Sequence, residues 1–585
     1  MTPPGREDAV AAALAQARHR VLKVAAFSGA INLLTLSGSV YMLQVYDRVL
    51  PSRNLATLAG LSVLVLAAYL LQGYLDAVRT RMLARIGALF DVALQGPIYD
   101  ALAGLPLAGA GAAAAHQPLR DLELVRAFLS GMGPTAFLDM PWIPIFVLAL
   151  FIFHPLIGLA ATIGALLIVA TTLVAERHSR SFARAAVERG QQRAALAEAT
   201  RRNAEAIQAL GMRGRFMRQW CRLNEAYVAE ATRARDVEAD IGAAAKVLRY
   251  VLQSAILGIG AALVVAEQAS GGVMIASSIM MGRALAPIEI VLGTWKQLVA
   301  AREALGRLGH TLRTTVPPPE PAVTLPRPAR HLWVQDLAVA PPGSNRVIVR
   351  GISFALAAGT GMAMLGASGS GKSSLAKAIV GLWHPARGAV RLDGARLDQW
   401  QTDALGRHVG YLPQEVGLFD GTVADNISRF EESTDERKIL EAAAIAGAHN
   451  LILSLPDGYA TRIGEGGALL SAGQRQRIGL ARAVYGEPFL IVLDEPNANL
   501  DAEGEAALAR AIGTLRSRGS IVVVISHRLS ALAALDTTLV LHNGSMLAFG
   551  RREEVMARLS ARVVAPSAAR RAATDKAASM EGSPA

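Results

Sequence analysis

The sequence predicts a multi-domain chain: an all-α domain of six membrane-crossing helices, followed by an α/β domain. Three observations carry this. Apolar runs of about 20 residues, the length that spans hydrocarbon as a helix, recur through the first half. A proline-rich stretch, TTVPPPEPAVTLPRPAR (314–330), then breaks the pattern, because proline cannot continue a helix. After it come short apolar runs and Gly turns (VIVRGISFAL, GMAMLGAS, HVGYLPQ, FLIVLD, SIVVVIS) alternating with helical stretches, the pattern of a largely parallel sheet.

Composition agrees. The 585 residues are 52% hydrophobic and only 18% charged, below the roughly 25% of soluble globular proteins, and mean hydropathy is +0.33. A net charge of +12 admits either nucleic acid or basic loops beside a membrane. Location decides between them. The stretch 177–249 alone holds fifteen Lys and Arg, and positive charge next to membrane segments favours the cytoplasmic side. Arg18, Arg20 and Lys23 agree, which places both termini in the cytoplasm. Aromatics are 5%, too few for cations interleaved with base-stacking rings, so no nucleic-acid partner is expected. The single cysteine, Cys221, excludes an internal disulfide framework and a Cys-based zinc site. The first 20 residues carry charge and no cleavage site after a short apolar run, so no cleavable signal peptide is expected.

The expected order is a cytoplasmic segment 1–20, a membrane domain 21–313, the linker 314–330, the α/β domain 331–561 and a disordered tail 562–585. Membrane helices are expected at about 24–46, 54–75, 133–153, 155–175, 250–266 and 270–293. Their connections alternate short and long, and the long ones have helical periodicity. The third helix holds Asp139, which beside Pro141 reads as an interface or kink residue. Arg283 and Glu289 interrupt the sixth. Charged groups in membrane helices are functional hypotheses by default; these two either line a path through the membrane or mark where the helix leaves it.

Chemistry concentrates in the second domain. In GMAMLGASGSGKSSLAKAIVGL (361–382) the spacing G-x-x-x-x-G-K-S occupies 366–373, after an apolar run and opening an amphipathic helix, the context of a phosphate-binding P-loop. Gly366, Gly369 and Gly371 let the backbone wrap a phosphate chain with its N–H groups inward, and the helix N-terminus adds its positive end. Lys372 is then placed for the β- and γ-phosphates and Ser373 for Mg²⁺, so ATP and Mg²⁺ are the expected ligands. FLIVLDEP (489–496) is an apolar strand ending in two acids. Asp494 suits Mg²⁺ through water, and Glu495 suits polarising the attacking water, although a DE pair after a strand is also a common turn. VVVISHRLS (522–530) ends in Ser526–His527, and strand ends of parallel sheets face the ligand crevice. His527 is thus a candidate for the γ-phosphate or the water, against the plainer reading of a structural histidine. Gln414, in GYLPQEVGLF, is a candidate to coordinate Mg²⁺ or orient water. LSAGQ (470–474) is a polar turn at the head of an amphipathic helix, with no catalytic constellation of its own.

Together these residues resemble the nucleotide-binding domain of ATP-binding cassette (ABC) transporters over about 331–561. Gly366, Ala367, Ser368, Gly369, Ser370, Gly371, Lys372, Ser373 and the adjoining Ser374 match Walker A. Gln414 matches the Q-loop, LSAGQ the signature, Ile491–Glu495 Walker B, Asn499–Leu500–Asp501 the D-loop and His527 the switch histidine. The resemblance implies two domains paired head to tail around two ATP, with Ser471, Gly473 and Gln474 reaching the partner's ATP in trans. One membrane half and one ATPase per chain then imply a dimer, most simply a homodimer of the exporter fold. VYDRVLPSRNLATL (45–58), RNAEAIQALGM (202–212), MIASSIMMGRALAPIE (274–289) and EPNANLD (495–501) are similar to the type I secretion permease/ATPases, the PrtD-like exporters. That similarity implies export of unfolded polypeptides with a C-terminal signal from a Gram-negative inner membrane. It also implies a periplasmic adaptor and an outer-membrane channel as partners. Exporters of lipids or drugs share every ATPase motif and are the alternative. A first membrane helix near residue 24 leaves no room for the N-terminal peptidase domain of some peptide exporters. The chain departs from the family at Ala340 and Pro341, where many relatives stack an aromatic on adenine, and at Ala472, where glycine is commonest.

Overall fold

The structure is a computed structural model that describes residues 9–107, 109, 117–314, 325–344, 346–526 and 533–558. The tail 562–585 and most of the proline-rich linker lie outside the described residues. The chain divides into two compact units, Met1–Pro106 with Gly111–Val316, and Leu107–Ala110 with Pro317–Ala585.

The first unit is helical. Helix α1 runs Ala9–Gln44 and passes into a π-turn at Val45–Val49; α2 runs Leu55–Leu107, α3 Gln117–Ser130 and α4 Gly133–Asp139. A 3₁₀ turn at Met140–Trp142 leads to α5, Ile143–Phe153. Then follow α6 (Pro155–Arg202), α7 (Ala204–Ala209), α8 (Arg213–Val265) and α9 (Gly271–Thr314). Among the described residues, five stretches are long and apolar enough to cross a membrane, and Pro155–Thr171 is a shorter apolar stretch that opens α6. The chain is a multi-pass membrane protein. With 53 residues each, α2 and α8 run about 80 Å at 1.5 Å per residue, far more than the roughly 30 Å of hydrocarbon. They therefore continue well past the membrane as polar helices.

Charged side chains hold these helices in register. Arg79, 9% exposed, donates through Nη1 to both Asp139 oxygens at 3.1 and 3.0 Å and to Ser28 Oγ at 3.1 Å. Its Nη2 reaches Asp76 at 2.6 Å, and Asn32 Nδ2 donates to Asp139 at 2.7 Å. Asp139 thus ties α1, α2 and α4 together at the point where the 3₁₀ turn interrupts the third crossing. At the other end of α1, Asp47 in the π-turn caps α9: its oxygens accept from Gly272 N at 2.8 Å and from Ser270 Oγ at 2.6 Å. An acid at a helix N-terminus meets the unpaired N–H groups there. A Cβ on Gly272 would stand 2.6 Å from that carboxylate, which explains the glycine.

The second unit is built on two sheets. An antiparallel sheet has the order β2-β1-β4-β5, from β1 His331–Val339, β2 Val349–Ala357, β4 Arg387–Leu392 and β5 Ala395–Arg396. The second sheet has the order β10-β9-β3-β8-β7-β6. Its strands are β3 Gly361–Gly366, β6 Val409–Leu412, β7 Leu490–Asp494, β8 Ile521–Ile525, β9 Thr537–His542 and β10 Ser545–Arg551. All its pairings are parallel except β9 with β10. Every residue of β7 and β8 is buried, as continuous Val/Ile/Leu runs in a sheet covered on both faces must be. Register sets the ends level: Leu412 pairs with Leu493, Asp494 with Ile525, and Met364 with Ile525. The loops after β3, β6, β7 and β8 thus leave one edge of the sheet together.

Breaking a buried ion pair leaves its partner charged and unpaired. Asp139→Ala is expected to destabilise the protein by about 3–5 kcal/mol, read as a lowered Tm in detergent. Arg79→Met combined with Asp139→Leu should recover most of that loss; a double variant as unstable as the single would contradict the pairing.

Candidate functional site

The P-loop follows β3 directly. Gly366, Gly369 and Gly371 have φ of 155°, 77° and 97°, values open to glycine at little cost. A Cβ on Gly366 would stand 2.5 Å from Leu541 O, and one on Gly371 2.8 Å from Val349. Gly371 is the N-cap of α10, Lys372–Ile379. Ala367, Ser368 and Ser370 complete the loop; Ser370 is 4% exposed, and its Oγ has no hydrogen-bond partner among the described residues. Lys372 is 7% exposed and donates to Gly366 O at 2.8 Å and Ala367 O at 2.9 Å. Burial lowers the Lys372 pKa, against the opposing pull of Glu495 and Asp494. Ser373 and Ser374 follow in the first turn.

Asp494 closes β7 at 2% exposure. Burial raises its pKa, and the Ser373 hydroxyl, donating to it, acts in the opposite sense. Its Oδ1 is buried with no hydrogen-bond partner among the described residues. A serine hydroxyl beside a buried carboxylate oxygen still short of a partner is a donor set that fits Mg²⁺. Glu495 is the next residue, at φ 51°, a left-handed conformation that costs a side-chain-bearing residue about 1–3 kcal/mol and persists only where its surroundings hold it. Its N–H donates to Ile525 O at 2.9 Å. Gln414, after β6, donates through Nε2 to Glu495 Oε2 at 3.1 Å. The sheet edge therefore brings Lys372, Ser373, Asp494, Glu495 and Gln414 together. His527 lies outside the described residues.

The signature turn is a separate assembly. Ser471 is the N-cap of α11, Ala472–Val484: its Oγ accepts from Gln474 N at 3.2 Å, and Gln474 Oε1 accepts from Ser471 N at 2.8 Å, a capping box. Among the described residues no hydrogen bond joins this turn to the P-loop. A cleft of about 230 Å³ lies beside it, lined by Gln414, Val416, Ala472, Arg475, Gln476 and Asn499. Asp501 caps α12, Ala502–Ser517, through Gly504 N at 2.8 Å and also takes Arg477 Nη2 of α11 at 2.8 Å.

The comparisons fit this arrangement. Residues 22–285 match the ABC transporter transmembrane region and residues 349–498 the ABC transporter domain. The type I secretion system ATP-binding protein PrsD of Rhizobium meliloti is 48% identical over 95% of this chain and 95% of its own. The chain belongs to the ABC transporters, among their type I secretion members. The cyclolysin secretion/processing ATP-binding protein CyaB of Bordetella pertussis is 30% identical over 93% of this chain and 77% of its own. The alpha-hemolysin translocation ATP-binding protein HlyB of Escherichia coli O157:H7 is 27% identical over 92% of this chain and 77% of its own. A bacterial Atm1-family ABC exporter solved with ATP bound has the same fold, with a TM-score of 0.80 and 21% identity over 95% of this chain and 99% of that one. As an ABC transporter the chain binds ATP and is an ATP hydrolase.

Two residues near this site, Gln476 and Asn497, are not singled out by the sequence analysis. Gln476, 2% exposed, donates from α11 to Pro496 O at 3.1 Å, directly after Glu495. Asn497 accepts from Ser526 Oγ at 3.2 Å, joining the ends of β7 and β8. The only signal for Gln476 is a polar residue on the face of α11 that it shares with the buried Leu480 and Ala483. Ala340 and Pro341 are half-buried beyond β1 and present no aromatic ring.

The raised Asp494 pKa has a consequence for stability. A buried acid that prefers its proton makes the folded state bind more protons than the unfolded one, so stability falls as pH rises from the ordinary carboxylate value through the raised one. Asp494→Asn is expected to abolish that fall. Its Tm advantage over the unchanged protein, measured without nucleotide, should grow with pH across that window; a constant difference would contradict burial as the cause.

Proposed function

We propose that this chain is the ATPase and permease of a type I secretion system, exporting unfolded polypeptides with a C-terminal signal across a Gram-negative inner membrane. The observation that carries this is the end-to-end similarity to PrsD, covering 95% of both chains. It spans the membrane unit, which distinguishes cargo classes, and not only the ATPase motifs that lipid and drug exporters share. The working unit in this reading is a homodimer with a periplasmic adaptor and an outer-membrane channel. Both termini and the nucleotide-binding domain are cytoplasmic.

The chemistry follows from the sheet edge. ATP lies along Gly366–Ser374, and its negative charge is met by the P-loop N–H groups and Lys372. Lys372 exchanges its carbonyl acceptors for phosphate oxygens, and its burial strengthens that contact. Mg²⁺ would be held by Ser373, by Gln414 and, through water, by Asp494, and would neutralise phosphate charge. Glu495 accepts a proton from the water whose oxygen attacks the γ-phosphorus, while the bond to the β-phosphate oxygen breaks and ADP leaves. Gln414 holds Glu495 through Nε2, leaving Oε1 as the oxygen a cation takes. His527 is assigned to the γ-phosphate or the attacking water, and Ser471 and Gly473 of the second copy close over the γ-phosphate.

The purified chain is expected to hydrolyse ATP, and Glu495→Gln to lower turnover by about 10²–10⁴-fold while ATP still binds. Activity within twofold of the unchanged protein would remove Glu495 from this role. For cargo, a strain lacking the gene should retain in its cells a polypeptide that the parent releases to the medium, with its C-terminus uncleaved. A defect confined to lipid composition or drug resistance would favour the alternative exporters.

A further inference from the structure

Of the two charges that interrupt the sixth membrane crossing, the fold accounts for one. Glu289 pairs with Arg249 of α8 at 3.1 Å. It lies about 27 Å along α9 from Gly271 at 1.5 Å per residue, near the boundary of a hydrocarbon layer about 30 Å thick. Arg283 lies about 18 Å along, near mid-depth. Among the described residues it has no ion-pair or hydrogen-bond partner.

Its surroundings are unusual for a membrane helix. The apolar window of α9 is 53% buried, against 0–28% for the other four long crossings. From Gly271 to Val291 the single exposed residue is Arg283. Met280, Met281, Ala284, Leu285 and Ile288 around it are buried in the bundle. The open side of α9 is thus a narrow strip in a helix otherwise enclosed by the protein, and a guanidinium occupies its middle. Facing hydrocarbon there would be costly for a charged side chain, and mid-depth is too far from either interface for the side chain to snorkel.

We propose that Arg283 lines a water-filled path through the membrane and donates to the carbonyl and carboxylate oxygens of the polypeptide that passes. The inference rests on the exporter reading above. A guanidinium offers five donors in a plane and keeps its charge at any working pH. An unfolded chain presents one carbonyl per residue, whatever its sequence, so a fixed cation can hand it along without recognising one cargo.

Cys221 is the only cysteine, so Cys221→Ser provides a thiol-free background. In that background, Arg283→Cys in lipid nanodiscs is expected to react with a charged, hydrophilic maleimide at least tenfold faster than Leu166→Cys. Leu166 is 64% exposed on α6 and stands about 17 Å from Pro155, hence at matched depth. Trapping with ATP and vanadate should change the Arg283→Cys rate at least threefold. Equal rates at the two positions, or a rate indifferent to trapping, would overturn the proposal. ATP hydrolysis by the same nanodiscs separates the two failures: an active ATPase with an inert position 283 sinks only the path assignment. A preparation with Glu495 intact that never hydrolyses ATP counts against the exporter reading itself.

Discussion

The main-chain hydrogen bond from Glu495 N–H to Ile525 O, 2.9 Å long, is the constraint on which the ATPase site depends. It ends the β7–β8 ladder and holds Glu495 at φ 51°, turning the chain sharply as it leaves the sheet. Asp494 therefore stays buried at the strand end while the next side chain swings out to Gln414. Two adjacent acids acquire different surroundings from a single backbone rotation. The strain persists because it is held from several sides at once. Gln476 fixes Pro496 O, and Ser526 fixes Asn497. One of those anchors belongs to α11, the helix that begins at the signature turn. A shift of that turn therefore reaches the residue beside Glu495 through a rigid helix and one buried hydrogen bond, a physical link between two parts of the site.

Burying Lys372 and Asp494 is costly, and the cost has a direction. Burial lowers the lysine pKa and raises the aspartate pKa, so both groups are less comfortable charged than they would be in water. Polyphosphate and a divalent cation are the ligands that relieve such strain, because each supplies the opposite charge at short range. Binding energy is thus stored in the protein as desolvation that has already occurred. The membrane unit deals with its charges differently: Arg79 with Asp139 and Arg249 with Glu289 neutralise one another inside the chain.

What the sequence makes legible is local. The α/β class is readable because β7 and β8 are unbroken apolar runs, and the P-loop because its glycines, Lys372 and Ser373 lie within eight residues. The helical half is legible from apolar length alone. Pairings between distant positions are not. Asp47 meets Gly272 across 225 residues, and Arg79 meets Asp139 across 60. A charge in a membrane helix announces that it needs a partner without saying which. Glu289 and Arg283 look alike as interruptions of one helix, and only packing separates a paired acid from an exposed cation. Gln476 is hidden for the opposite reason: in GQRQR it is one polar residue among several, and its burial against Pro496 exists only in three dimensions.

The signature turn shows how finely two neighbouring positions differ. Ser471 is an N-cap with extended backbone, φ −66° and ψ 160°, and Ala472 is the first helical residue. A methyl group is at home on a helical backbone, so alanine in the second place of the usual pair of glycines costs nothing there. At Gly473 a Cβ would stand 2.9 Å from Asn499 O, and glycine is required by that approach. The main chain thus stays close to the D-loop at 473 and is free to vary at 472. The capping box satisfies Gln474 N, while the N–H groups of Ala472 and Gly473, at the open end of α11, have no intrahelical acceptor. Two N–H groups without an intrahelical acceptor, a serine hydroxyl and the positive end of a 13-residue helix form a place for an anion. No hydrogen bond among the described residues ties this place to the P-loop of the same chain. Under the dimeric reading, the anion is the γ-phosphate held by a second copy, and closing on it would move the helix that anchors Pro496.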